Sequence, residues 1–157
     1  MNETLNAVTA WLQAHQCTVT CAESCTGGLL AAELTCLPGS SAWFDMGFVT
    51  YSNEAKQTLL NVREATLRQH GAVSAACVRE MAQGALLAAR ADYALSVSGI
   101  AGPTGGTTEK PVGTVWFGLS SAEGVWAEQQ HFIGSRDEIR AQAVCFALAL
   151  LARRLSL

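Results

Sequence analysis

Half of the fourteen glycines in this 157-residue chain stand in two short places, Gly27-Gly28 and the stretch from Gly99 to Gly113. Each place follows a run that reads as a strand: Cys17 to Ala22 (CTVTCA), which is β-branched, and Asp92 to Ser98 (DYALSVS). Glycine accepts backbone angles that other residues resist, so these are sites where the chain turns sharply as it leaves a strand. That pattern favours a fold in which strands end in functional turns.

The rest of the chain fills in around these strands. Leu5, Val8, Trp11 and Leu12 recur at helical spacing within residues 4–15. Gly27 to Leu37 predicts a helix closed by Pro38-Gly39, and Trp43 to Tyr51 (WFDMGFVTY) predicts a second strand. Ser52 caps a helix over Asn53 to Leu60, and Ser74 caps one running to Ala91. Val112 to Leu119 and Val125 to Ile133 predict a hairpin joined by Ser120 to Gly124. Ser135 caps a last helix ending near Leu155, with Asp137 and Glu138 in its first turn and Arg153 and Arg154 in its last. The order α, β, α, β, α, α, β, β, β, α predicts the α/β class: a three-layer α/β/α sandwich with a mixed sheet, one domain over residues 1–157.

Composition removes several functions. A formal net charge of -3 leaves no basic footprint, which argues against a nucleic-acid partner. No apolar run reaches the roughly 18 residues a membrane helix needs, and Met1-Asn2-Glu3-Thr4 opens no secretory signal. The six cysteines contain no Cys-x-x-Cys pair, so buried thiols in a reduced, cytoplasmic protein are expected rather than disulfides or a metal site. Only 15% of residues are charged and half are hydrophobic, which favours self-association into a homo-oligomer.

Four constellations carry the chemistry. Ala22-Glu23-Ser24-Cys25-Thr26-Gly27-Gly28 lies where a strand passes to a helix, and its exposed amides suit either a phosphate or an oxyanion beside Ser24. It is equally readable as an ordinary turn with Ser24 or Thr26 as the N-cap. Ser98-Gly99-Ile100-Ala101-Gly102-Pro103-Thr104-Gly105-Gly106 is too glycine-rich for a core and matches no P-loop, so it reads as a ligand-contacting loop. Thr50 to Lys56 (TYSNEAK) brings Tyr51 and Lys56 toward the first glycine turn if the first two strands are neighbours. A serine nucleophile can use a lysine base, whereas His15, His70 and His131 stand in no motif. Arg136 and Arg140, one turn apart, suit a phosphate or an ion pair with Asp137 or Glu138.

AESCTGG, GFVTYSNEAK, SGIAGPTGG with KPVGTVW, and GSR-x3-R occur here in one order over about Leu5 to Leu155. Together they resemble the CinA C-terminal domain family, whose characterised activity is nicotinamide-nucleotide amidase. Any one of them alone is a weak signal; four in order are specific. The resemblance implies hydrolysis of the carboxamide of nicotinamide mononucleotide to nicotinate mononucleotide and ammonia, in pyridine-nucleotide salvage, with no cofactor. It places the nucleophile on Ser24, its lysine base on Lys56, a nearby tyrosine on Tyr51 and a hydroxyl residue on Ser98. The substrate-binding set it implies is Cys25, Thr26, Gly27, Gly28, Ser98 and Gly99, with Arg136 or Arg140 for the phosphate. Many members carry a further N-terminal domain, and this chain is expected to be the stand-alone form. Cys21 stands where the family pattern leads one to expect threonine.

On this reading Lys56 is neutral when it acts, through burial or a neighbouring cation such as Arg140. Amides from Cys25 to Gly28 hold the oxyanion, while Tyr51 and Ser98 relay protons or orient the lysine. Two other readings use the same loops: a non-catalytic nucleotide-binding module, and an amidase for another small pyridine amide.

Overall fold

The β-branched residues after Cys17 form the first strand of a five-stranded sheet, and every residue of that strand is buried. The computed structural model describes residues 2–157; Met1, part of the expected domain, lies outside them. In chain order the elements are α1 (Asn2–Ala14), β1 (Val19–Glu23), α2 (Leu29–Leu34), β2 (Phe48–Val49), α3 (Asn53–Leu60), α4 (Glu64–His70) and α5 (Ala75–Ala89). There follow β3 (Tyr93–Gly99), β4 (Thr114–Ser121), β5 (Gly124–His131) and α6 (Arg136–Arg154).

The strands lie in the order β2-β1-β3-β4-β5. β1 runs parallel to both β2 and β3, whereas β4 and β5 are antiparallel to their neighbours. Side chains alternate across the sheet as strand geometry requires. Val19, Cys21, Leu95, Val97, Val115 and Phe117 pack on one face, with residues of α1, α2 and α6. Ala22 and Ala94 pack on the other, with Leu60 of α3, Leu67 of α4 and Val78 and Met81 of α5. The mixed three-layer α/β sandwich expected from the element order is the observed architecture. No helix among the described residues is long and apolar enough to cross a membrane.

Three local expectations are corrected. The strand predicted over Trp43 to Tyr51 shrinks to Phe48–Val49. Its aromatic start serves the core instead: Trp43 is 3% exposed and donates its indole N–H to the Leu34 carbonyl at 2.8 Å. The helix predicted from Gly27 to Leu37 covers only Leu29–Leu34, because Gly27 and Gly28 take φ of 56° and 109° and Thr35 turns its hydroxyl back onto the Ala31 carbonyl. Helix α4 was not expected, since only Thr66 and Leu67 of its residues are buried and no apolar period marks it. The cysteine expectation is also revised: Cys21, Cys25 and Cys77 are buried, Cys17 is half-buried, and Cys36 and Cys145 are exposed.

The capping signals hold. Ser52, Ser74 and Ser135 each accept a backbone N–H from the first turn of their helix, and Ser135 and Glu138 complete a capping box. These caps fix where α3 and α6 begin, and both helices deliver a cation to the carboxyl ends of β1 and β3.

Candidate active site

β1 ends at Glu23, and its carboxylate never reaches solvent. Glu23 Oε1 accepts from the Thr26 hydroxyl at 2.6 Å and the Leu30 amide at 2.8 Å, and Oε2 accepts from the Ala31 amide at 3.0 Å. A buried charge is tolerable only when it is bonded in this way. The carboxylate satisfies amides at the start of α2 that a cap residue would otherwise take, so neither Ser24 nor Thr26 acts as the N-cap. Thr26 is thereby committed to Glu23 and faces inward.

The chain between Glu23 and α2 is a braced turn. The Ser24 amide donates to the Val97 carbonyl of β3 at 3.0 Å, and the Gly27 amide returns to the Ser24 carbonyl at 3.1 Å. From α6, Arg140 donates Nε to the Cys25 carbonyl at 3.0 Å and Nη2 to the Thr26 carbonyl at 3.4 Å. A Cβ on Gly27 would stand 3.2 Å from that guanidinium, at a backbone angle L side chains rarely adopt. The Gly27 amide is thus occupied within the turn and is not available as one of the oxyanion donors expected from Cys25 to Gly28.

Lys56 comes from the first turn of α3, yet it is 1% exposed and heads the largest fully buried side chains. Its Nζ donates to Ser24 Oγ at 2.9 Å, to the Thr50 carbonyl at 2.8 Å and to the Tyr51 carbonyl at 3.0 Å. The pairing of β1 with β2 makes this possible, since it sets Glu23 beside Val49 and carries the following residues to the nucleophile turn. The Tyr51 side chain does not orient the lysine. It is 60% exposed, and its hydroxyl accepts from Arg136 Nη2 at 3.2 Å. The orienting group is instead the Tyr51 main chain, which sequence cannot reveal because every residue carries a carbonyl.

A cavity of about 290 Å³ opens over these groups. Ser24 and Cys25 form its floor, Gly99 to Gly102 with Thr104 and Gly105 one wall, and Tyr51 and Arg136 the rim. Arg136 donates Nη1 to the Gly102 carbonyl at 2.8 Å. Of the residues expected from sequence, Ser24, Cys25, Tyr51, Gly99 and Arg136 line the cavity, and Lys56 lies directly behind Ser24. Thr26, Gly27, Gly28 and Arg140 shape the nucleophile turn from outside it. Ser98 is buried and shares the α5 face with Ser96, whose hydroxyl bonds the Val78 carbonyl of α5. It is not among the partners of Lys56 Nζ.

The CinA C-terminal domain model matches residues 1–155. The chain belongs to the CinA C-terminal domain family. It is 61% identical over 143 residues to nicotinamide-nucleotide amidohydrolase PncC of Shigella flexneri, an alignment spanning 89% of this chain and 86% of that protein. A CinA superfamily protein from Klebsiella pneumoniae superposes with a TM-score of 0.94 at 45% identity, covering 98% of this chain and 96% of its own. The competence/damage inducible protein of Agrobacterium tumefaciens gives the same TM-score at 43% identity, covering 96% and 93%.

The electrostatics of this CinA domain follow from burial. Desolvation lowers the pKa of Lys56, because the charged ammonium gives up water and gains only a hydroxyl and two carbonyls. Cys77 and Cys25 would oppose this as thiolates. Burial pushes both thiols up to about 11, so near neutral pH neither supplies a counter-charge. Of the two causes weighed from sequence, burial operates here. Arg140 is spent on the turn carbonyls, with Asp137 at 4.0 Å.

Proposed function

We propose that this CinA domain is an amidohydrolase that converts nicotinamide mononucleotide and water to nicotinate mononucleotide and ammonia, with Ser24 as nucleophile and Lys56 as its base. The observation that carries the reading is the 2.9 Å contact between a buried lysine and a serine on a cavity floor. The 61% identity to a nicotinamide-nucleotide amidohydrolase supports the choice of substrate.

A neutral amine has two N–H groups and one lone pair. The Thr50 and Tyr51 carbonyls match the two donors, which aims the lone pair at the Ser24 hydroxyl. Ser24 Oγ attacks the carboxamide carbon as its proton passes to Lys56 Nζ. The oxyanion is held by the amide of Cys25, the residue after Ser24 in the turn that also lines the cavity. Lys56 returns the proton to the departing amine, and ammonia leaves. Water then enters with Lys56 again as base, cleaves the ester at Ser24 and releases the carboxylate.

Arg136 serves the phosphate in this scheme. It lines the cavity, and among the described residues its guanidinium meets only a carbonyl and a phenol oxygen, which leaves its charge for an anionic ligand. Arg140 positions the nucleophile turn. The setting is cytoplasmic pyridine-nucleotide salvage, and exposed apolar side chains such as Leu87 and Ile133 supply surface for self-association.

Ammonia release from nicotinamide mononucleotide by the Ser24→Ala protein is the test. The scheme expects activity to fall by about 10³-fold or more, the scale of losing a catalytic nucleophile. Undiminished release removes Ser24 from the reaction, and binding of the mononucleotide without release by the unaltered protein favours a nucleotide-binding module.

A further inference from the structure

The KPVGTVW motif has no part in the chemistry above, yet its lysine makes a long-range bond. The loop that walls the cavity leaves the sheet after Gly99 and returns at Thr114. At its near end the Gly102 carbonyl is held by Arg136 at 2.8 Å. At its far end Thr107 and Lys110 close a reciprocal turn. The Thr107 amide donates to the Lys110 carbonyl and the Lys110 amide to the Thr107 hydroxyl, both at 2.9 Å. Pro103 to Gly106 lie between these anchors and are exposed, and two of them, Thr104 and Gly105, face the cavity.

The far anchor is not fixed to the sheet alone. Lys110 Nζ donates to the His70 carbonyl at 2.8 Å. His70 is the last residue of α4, where carbonyls lack helical partners and the helix end favours a cation. The next residue, Gly71, has φ +77°, and a Cβ there would stand 3.4 Å from the ammonium. The left-handed backbone angle, rather than the space, is what favours glycine there. Glu109 and Lys110 are the only charged residues between Tyr93 and Ser121, so no other cation of this stretch can replace the tie.

We propose that Lys110 is a positioning residue for substrate: by tying the base of the 102–111 loop to the end of α4, it holds the cavity wall in its binding-competent place and sets KM rather than kcat. The proposal rests on the reading of this cavity as the mononucleotide site. A loop whose competent arrangement is populated only part of the time binds more weakly by that fraction. The chemical groups lie at the cavity floor and do not depend on the tie.

The test compares Lys110→Met, which keeps the aliphatic stem and removes the donor, with Lys110→Arg, which keeps a cation. Loss of one charge-assisted bond predicts a KM for nicotinamide mononucleotide about tenfold higher in the Met variant, with kcat within about twofold of the parent. The Arg variant recovers most of the loss. In ligand-free protein, hydrogen exchange at the Thr107 amide accelerates in the Met variant while that of Leu95 in the central strand stays unchanged. An unchanged KM, a fall in kcat at constant KM, or unaltered Thr107 exchange overturns the proposal. If the unaltered protein releases no ammonia, the amidase reading fails; the exchange experiment, which needs no substrate, then decides the tie by itself.

Discussion

Two glycine-bearing segments meet at the cavity, one at its floor through Ser24 and Cys25 and the other along its wall, and they are built on opposite principles. The turn from Ser24 to Gly28 is held from three directions: Glu23 behind it, the Val97 carbonyl beside it and Arg140 across two of its own carbonyls. Ser24 is 9% exposed and Thr26 fully buried. The loop from Gly102 to Pro111 is fastened only near its ends, and residues 103–109 are exposed. On the proposed function, groups that must meet a reacting carbon within fractions of an ångström sit on the braced side, and groups that admit the ligand sit on the side with freedom. Glycine therefore does different work in the two places. In the turn it allows left-handed backbone angles, and in the loop it permits close passage, as at Gly106, where a Cβ would stand 2.7 Å from the Val112 amide nitrogen.

Substitutions can break this division. Arg140→Gln releases the Cys25 and Thr26 carbonyls and loosens the turn that carries Ser24 and the proposed oxyanion donor at Cys25. Its expected effect is a kcat lower by about 100-fold, the scale of losing one such donor, with little change in KM. Arg136→Gln removes the cation at the rim, and KM for nicotinamide mononucleotide rises by about tenfold, as for one lost charge-assisted contact, with kcat within about twofold. Steady-state kinetics of both variants checks the pair. If Arg140→Gln moves only KM, or Arg136→Gln only kcat, the turn and the loop do not divide the labour in this way.

Most of the frame was legible because it is written in local signals. Three serine caps located the starts of α3, α5 and α6, and the two runs that precede the glycine segments located β1 and β3 to within two residues. Elements without such signals escaped. Helix α4 presents little to the core, although Glu64 at its start and Gly71 at its end were available as markers. The aromatic run from Trp43 looked like a strand because core packing and strand formation favour the same side chains.

The site was legible in part for the same reason. Ser24, Lys56 and Arg136 are types whose chemistry stands out, and AESCTGG and YSNEAK mark the first two. The supporting groups were hidden. Glu23 could be seen as acidic but not as the cap of α2, a role that depends on a fold-back across eight residues. The Thr50 and Tyr51 carbonyls that aim Lys56 exist in any sequence, and only the β1–β2 pairing puts them to use.

The central claim is that Lys56, its pKa lowered by burial, is in its neutral form the base for Ser24. The sign is fixed by the chemistry: the deprotonated amine is the active form, and burial lowers its pKa. Thus kcat/KM for ammonia release should rise with pH through a single deprotonation and level off below the value of about 10.4 usual for lysine. The decisive measurement is this profile for the unaltered protein beside Lys56→Ala. The account predicts that the variant loses roughly 10²–10⁴ in rate at neutral pH and loses the rising limb with it. A variant that keeps both the rate and the limb would contradict the account.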